Sequence, residues 1–186
     1  MGSSQRERLF DALADPGVQG AAERMRDRGG LAETLLFGAE LARAADTPKE
    51  AEALRFEAEG YGDDRPLPEH RYVMAFATPF PLRSLDTGLL DPEDVFLANA
   101  DKFARVRYGL RESAEQLEEA NQQIADGGVL SIRVPAQVVA GDGAEMPDDA
   151  EVHLYILGRD LRTVVEGIRA RAHAAMIERL LQAVEA

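Results

Sequence analysis

Between Gly60 and Arg71 the spacing of apolar residues along the chain changes, and that change constrains the fold more than any other feature. Before it, Leu31, Leu35, Gly38 and Ala42, and then Ala51, Leu54, Ala58 and Tyr61, recur every three or four residues. That is the period of one helix face. After it, in RYVMAFAT, Tyr72, Met74 and Phe76 alternate with the period of a strand. The segment between is turn chemistry. Gly60 ends the helix, and Pro66 and Pro68 push Arg65 and Leu67 into extended backbone.

The rest of the chain fits around this switch. SSQRERLFDALADPG predicts a short helix capped by Ser3 or Ser4 and stopping near Pro16. VQGAAERMRDRGG predicts a second, closed by Gly29 and Gly30. Thr47, Pro48 and Glu50 form the strongest start signal: a cap, a proline at the first helical position and a capping-box acid. The short connection between the third and fourth helices predicts an antiparallel hairpin.

Residues 82–110 carry no clear pattern beyond DPEDVFLANA, where Asp91 and Pro92 would open a short helix. RESAEQLEEANQQIADGG predicts a helix with Leu110, Ala114, Leu117 and Ile124 on one face, closed by Gly127 and Gly128. VLSIRVP and EVHLYILG alternate as strands, AQVVA is a candidate further strand, and GDGAEMPDDA reads as an exposed loop. A long last helix starts near Asp160, with Leu161, Val165, Ile168, Ala172, Met176 and Leu180 inward. The expected fold is α+β and mainly helical: an N-terminal helical hairpin, a small antiparallel sheet and a long C-terminal helix. Residues 1–29 read as a helical extension of a main domain over 30–186, the whole forming one compact domain of 186 residues.

Composition narrows the function classes. The net charge of −13 argues against tracking a phosphate backbone, and Lys49 and Lys102 are the only lysines. The absence of cysteine removes disulfides, thiolate catalysis and Cys-ligated zinc. No apolar run reaches the roughly 20 residues of a membrane span. MGSSQRERLF has no signal-peptide stretch. The expected location is the cytoplasm.

Chemistry-bearing residues are sparse. His70, His153 and His173 lie outside any metal-ligand spacing, and neither a GxSxG elbow nor a phosphate-binding glycine loop is present, so no metal and no cofactor are expected. His153 falls opposite Leu154 on its strand, and His173 on the outer side of the last helix. The pairs Asp63-Asp64 and Asp148-Asp149 read as solvated turns. Arg159, Arg162, Arg169 and Arg171 give the last helix a basic stripe, which reads first as salt bridges to the chain's own acids. The densest group is Glu57, Tyr61, Arg65, His70 and Arg71 around the turn. An ion pair of Glu57 with Arg71 would lock the fourth helix to the strand that follows.

The spacing Glu57, Gly60, Tyr61, Leu67, Pro68, Arg71 resembles the AbiTii-like domain, an abortive-infection domain of bacterial anti-phage systems. The resemblance extends over most of the chain from Gly30. It takes in the helical hairpin, the helix and glycine break before VLSIRVP, and the last strand and helix with Ile168-Arg169-x-Arg171. The chain departs from the family pattern at His70, where an aromatic residue is usual, and at Glu59, where Asn is common. What the resemblance implies is phage defence by growth arrest or death of the infected cell, without a defined reaction.

Three functions remain open on the sequence. The first is a binding or regulatory module of anti-phage defence that joins a protein partner or a second copy of itself. The second is a hydrolase- or nuclease-like toxin with Glu57, His70 and Arg71 as its chemical groups. The third is a sensor of a nucleotide or another small anion, bound by Tyr61, Arg65, Arg71, Arg169 and Arg171. No membrane partner is expected.

Overall fold

The structure, a computed structural model, describes residues 5–79, 81–82, 92–99, 102–124, 128–140 and 150–184. It is α+β and mainly helical, with one four-stranded antiparallel sheet and a long C-terminal helix. The chain divides into a helical unit, residues 1–66, 111–118 and 165–186, and a sheet unit, residues 67–110 and 119–164. Among the described residues no helix is long and apolar enough to cross a membrane.

The helical unit holds α1 (Gln5–Leu13), α2 (Pro16–Arg28), α3 (Leu31–Ala44) and α4 (Pro48–Glu59). It also takes the start of α6 (Ala114–Gln123) and the later part of α8 (Gly158–Val184). The α3–α4 hairpin is its centre. Leu35, Ala39 and Leu41 of α3 and Ala51, Leu54 and Ala58 of α4 are buried. Each fully buried Leu of this kind contributes about 2 kcal/mol. The helices approach closely at Gly38, where an added Cβ would lie 3.3 Å from Leu54 Cδ1. The N-terminal helices pack on the hairpin through a cluster of Ala12, Val18 and Leu41.

One helix start differs from the sequence expectation. The first helix stops at Leu13, near Pro16 as expected, but Pro16 also opens α2: the Asp15 carboxylate accepts from the N–H of Gly17 (2.8 Å) and Val18 (3.3 Å). Asp-Pro is a cap and first-turn pair, since proline opens a helix at its first position as readily as it ends one. At α4, Thr47 is the N-cap residue and Pro48 the first helical one, as expected, but the Thr47 hydroxyl donates backwards to Ala42 O at 2.8 Å rather than capping the first turn. A reciprocal capping box forms at α6, where Gln116 N–H donates to Ser113 Oγ (3.2 Å) and Ser113 N–H to Gln116 Oε1 (2.9 Å). Leu110 therefore precedes this helix rather than belonging to its face. The expected caps Ser3 and Ser4, the Gly127 half of the glycine stop and the Asp148-Asp149 loop lie outside the described residues.

In the sheet unit, β1 (Tyr72–Thr78), β2 (Ala104–Gly109), β3 (Val129–Pro135) and β4 (Glu151–Leu157) form a sheet of order β2-β1-β4-β3. Helix α5 (Pro92–Ala98) opens at the expected proline. β2 is a strand within the stretch that had no readable pattern. AQVVA is not a strand but the short helix α7 (Gln137–Ala140). The strand pairing runs to Pro135 opposite Glu151, the first residue of β4, and Ala136 N–H still bonds to Ala150 O at 2.8 Å before α7 begins.

Alternation gives the sheet two faces. Val73, Ala75, Ala77, Val134, Leu154 and Ile156 occupy one, and all are buried. The other carries Met74, Phe76, Arg105, Arg107, Ser131, Arg133, His153 and Tyr155 by register. The middle of that second face is covered by an aromatic cluster. Phe96 stacks on Phe76 with ring centroids 4.3 Å apart, and Tyr155 and Leu157 are buried with them.

Candidate functional site

The turn residues of the resemblance motif serve the fold in each unit. In the helical unit, Gly60 ends α4 with φ 93° and ψ 172°, a conformation essentially confined to glycine. A Cβ there would also sit 2.7 Å from Arg111 O. The chain then turns onto the segment before α6, where Tyr61 N–H donates to Arg111 O at 2.8 Å. The Tyr61 hydroxyl reaches back one turn and donates to Glu57 Oε1 at 2.8 Å. Glu57 is only 7% exposed, so this bond matters: a buried carboxylate needs donors.

Arg111 closes the turn from the other side, donating from Nη1 to Gly62 O (2.5 Å) and Arg65 O (3.1 Å). The Arg65 guanidinium lies 3.8 Å from the centre of the Phe56 ring and 3.6 Å from Glu52. Nothing in the spacing of the sequence pointed to Arg111, which lies 46 positions after Arg65.

In the sheet unit, Leu67 packs against Gly109, where a Cβ would come 2.4 Å from Leu67 Cδ1. Pro68 leads into a 3-10 turn over Glu69–Arg71 that places His70 half-buried. Arg71 is fully buried at 0% exposure, its N–H bonded to Pro68 O and its carbonyl to Leu110 N–H. Glu57 and Arg71, expected as an ion pair, fall in different units; what is plain is that both are buried.

Of the arginines of the anion reading, Arg71 belongs to the sheet unit and Arg65, Arg169 and Arg171 to the helical unit. Arg169 donates to Glu118 Oε1 at 2.6 Å, while Glu118 Oε2 accepts from Leu31 N–H at 3.0 Å, so one carboxylate holds α8 and the first turn of α3. Arg171 and His173 are exposed on α8, and Arg162 is half-buried. Among the described residues no three His, Asp or Glu side chains converge as a metal would require.

A second grouping lies on the open face of the sheet. Cross-strand pairing sets His153 beside Arg133 and Tyr155 beside Ser131. With Pro81 and Ile132 they line an open cavity of about 280 Å3. Tyr155 Oη accepts from Leu82 N–H at 2.7 Å, which fixes the phenol and leaves its own O–H to donate. The His153 ring lies nearly parallel to that of Tyr155, 19° apart with centroids at 6.4 Å. Arg133 has Glu151 at 3.8 Å, a loose exposed pair.

At the other edge Arg107 stacks 3.7 Å above the Tyr72 ring and pairs with Glu69. Of the cavity-lining residues, His153 alone is among the candidates named on the sequence. The alternation in VLSIRVP and EVHLYILG does place Ser131, Arg133, His153 and Tyr155 away from the apolar face. It does not say which of them become neighbours, because that depends on register.

Comparisons of the chain with protein-family models, with curated proteins and with solved structures find no match.

Proposed function

We propose that this chain is a binding or regulatory module of bacterial anti-phage defence, of the abortive-infection kind, working in the cytoplasm through contact rather than through catalysis at its motif. Support for the defence role is the spacing of Glu57, Gly60, Tyr61, Leu67, Pro68 and Arg71, which resembles the AbiTii-like domain. The observation that carries the non-catalytic half is the hydrogen bond from Tyr61 to the buried Glu57. A carboxylate held this way is a structural acceptor. A general base needs reach to a substrate proton.

The test is a phage plaque assay on cells carrying the intact protein or Glu57→Gln/His70→Ala, with circular dichroism to confirm that the variant folds. The expected outcome is protection by both. Loss of protection in a variant that folds would favour the toxin reading. No protection by the intact protein would remove the defence role.

A further inference from the structure

We propose that the cavity on the β3–β4 edge binds a small molecule through a phosphate monoester. The case is one of donors. Arg133 offers a guanidinium fork, His153 a ring N–H, Ser131 a hydroxyl, and Tyr155 a phenol whose oxygen is already fixed by Leu82 N–H. These groups converge because of strand register: Arg133 opposite His153, Ser131 opposite Tyr155, on adjacent rungs of one antiparallel ladder. Neighbouring rungs on the same face are ~7 Å apart, so one group of phosphate size can bridge them.

Phosphate suits this set better than carboxylate. Four donor groups exceed what two carboxylate oxygens use well, whereas a phosphate monoester presents three terminal oxygens and up to two charges. The cavity, about 280 Å3, is larger than phosphate alone and lies near the lower end of small-ligand pockets. It therefore has room for a compact organic body as well.

The site is distinct from the arginines named on the sequence, and it stands in a chain of net charge −13. A local cluster of donors in an acidic protein gives selectivity for anions without a general attraction for polyanions. Among the described residues Arg133 pairs with the acid Glu151, at 3.8 Å and with both side chains more than half exposed. That pair is weak enough for a dianion to displace.

The experiment is a calorimetric titration of the full chain with ribose 5-phosphate, glycerol 3-phosphate, inorganic phosphate, ribose and glycerate. Saturable binding of at least one phosphate monoester is expected, with ribose and glycerate at least tenfold weaker. Arg133→Gln/His153→Gln should weaken it tenfold or more, and Ser131→Ala by a smaller factor. Glu151→Gln should tighten it about two- to fivefold, the range of an exposed ion pair. Arg105→Gln, on β2, should leave it unchanged. Binding of inorganic phosphate as tight as the esters would mean a free-anion site and overturn the organic half of the proposal. Equal binding by the intact chain and the folded double variant, or none by any monoester up to 10 mM (about 100 times a 0.1 mM dissociation constant), would overturn it entirely.

Discussion

Two groups of polar side chains, the turn motif and the β3–β4 edge, differ in what their charges face. In the motif, Glu57 and Arg71 are buried, Tyr61 is tied to Glu57, and Arg111 is tied to two carbonyls. At the sheet edge, Arg133 is 68% exposed beside a loose partner, and His153 and Ser131 border an open cavity. The motif is the richer in acid, base and aromatic residues, yet it is the one built into the fold. Density of chemistry-bearing residues in sequence is therefore a poor guide to a site. What separates the two is whether the donors already have acceptors.

The largest effect expected from this difference is at Arg71. Arg71→Met removes a fully buried charge and should lower stability to urea by about 3 kcal/mol, as breaking a buried polar contact does. Gly60→Ala comes next, at about 2–3 kcal/mol, because alanine cannot adopt the glycine backbone there without strain. Tyr61→Phe should cost about 1–2 kcal/mol, leaving the Glu57 carboxylate short of a donor. Glu118→Ala, which loses the contact to the first turn of α3 and the pair with Arg169, should cost about 1 kcal/mol. Against these, Arg133→Gln should change the unfolding free energy by less than about 0.5 kcal/mol, as surface substitutions do. A cost above 1 kcal/mol there would dissolve the distinction between the two groups.

The smallest effect concerns acid. Hydrogen bonding from Arg43 and Arg55, and the charges of both, hold the Glu40 carboxyl below its ordinary value against the opposing effect of burial. A carboxyl depressed in the folded state stabilises it above the unfolded pKa, and that contribution fades as pH falls through the folded value. Glu40→Gln should therefore lower the melting temperature slightly at pH 7, and the difference should shrink as pH falls below the ordinary carboxylate range, checked by melts across pH.

How much of this could be read from sequence follows from the range of the interactions. The α3–α4 hairpin was legible because its signals, apolar period and Pro48, act within a few residues. β1 and β4 were legible from alternation. β2 was not: Arg105 and Arg107 alternate with Val106 and Tyr108, but the run is short and largely exposed, and pairing with β1, far earlier in the chain, makes it a strand. The same holds for the sites. Tyr61 and Glu57 are four residues apart on or beside one helix, within reach of local reasoning. Arg111 at the turn, and Arg133 against His153, depend on contacts made by distant parts of the chain.

The most direct test of the central claim is a thermal melt of the intact protein, Tyr61→Phe and Arg133→Gln/His153→Gln, each with and without a saturating phosphate monoester, ribose 5-phosphate or glycerol 3-phosphate, whichever binds the intact chain more tightly. The account predicts a lower melting temperature for Tyr61→Phe with the ligand-induced rise preserved. It predicts an unchanged melting temperature for Arg133→Gln/His153→Gln with the rise abolished. The reverse pattern, a stable Tyr61→Phe protein that no longer responds to ligand and a destabilised edge variant that still does, would contradict it.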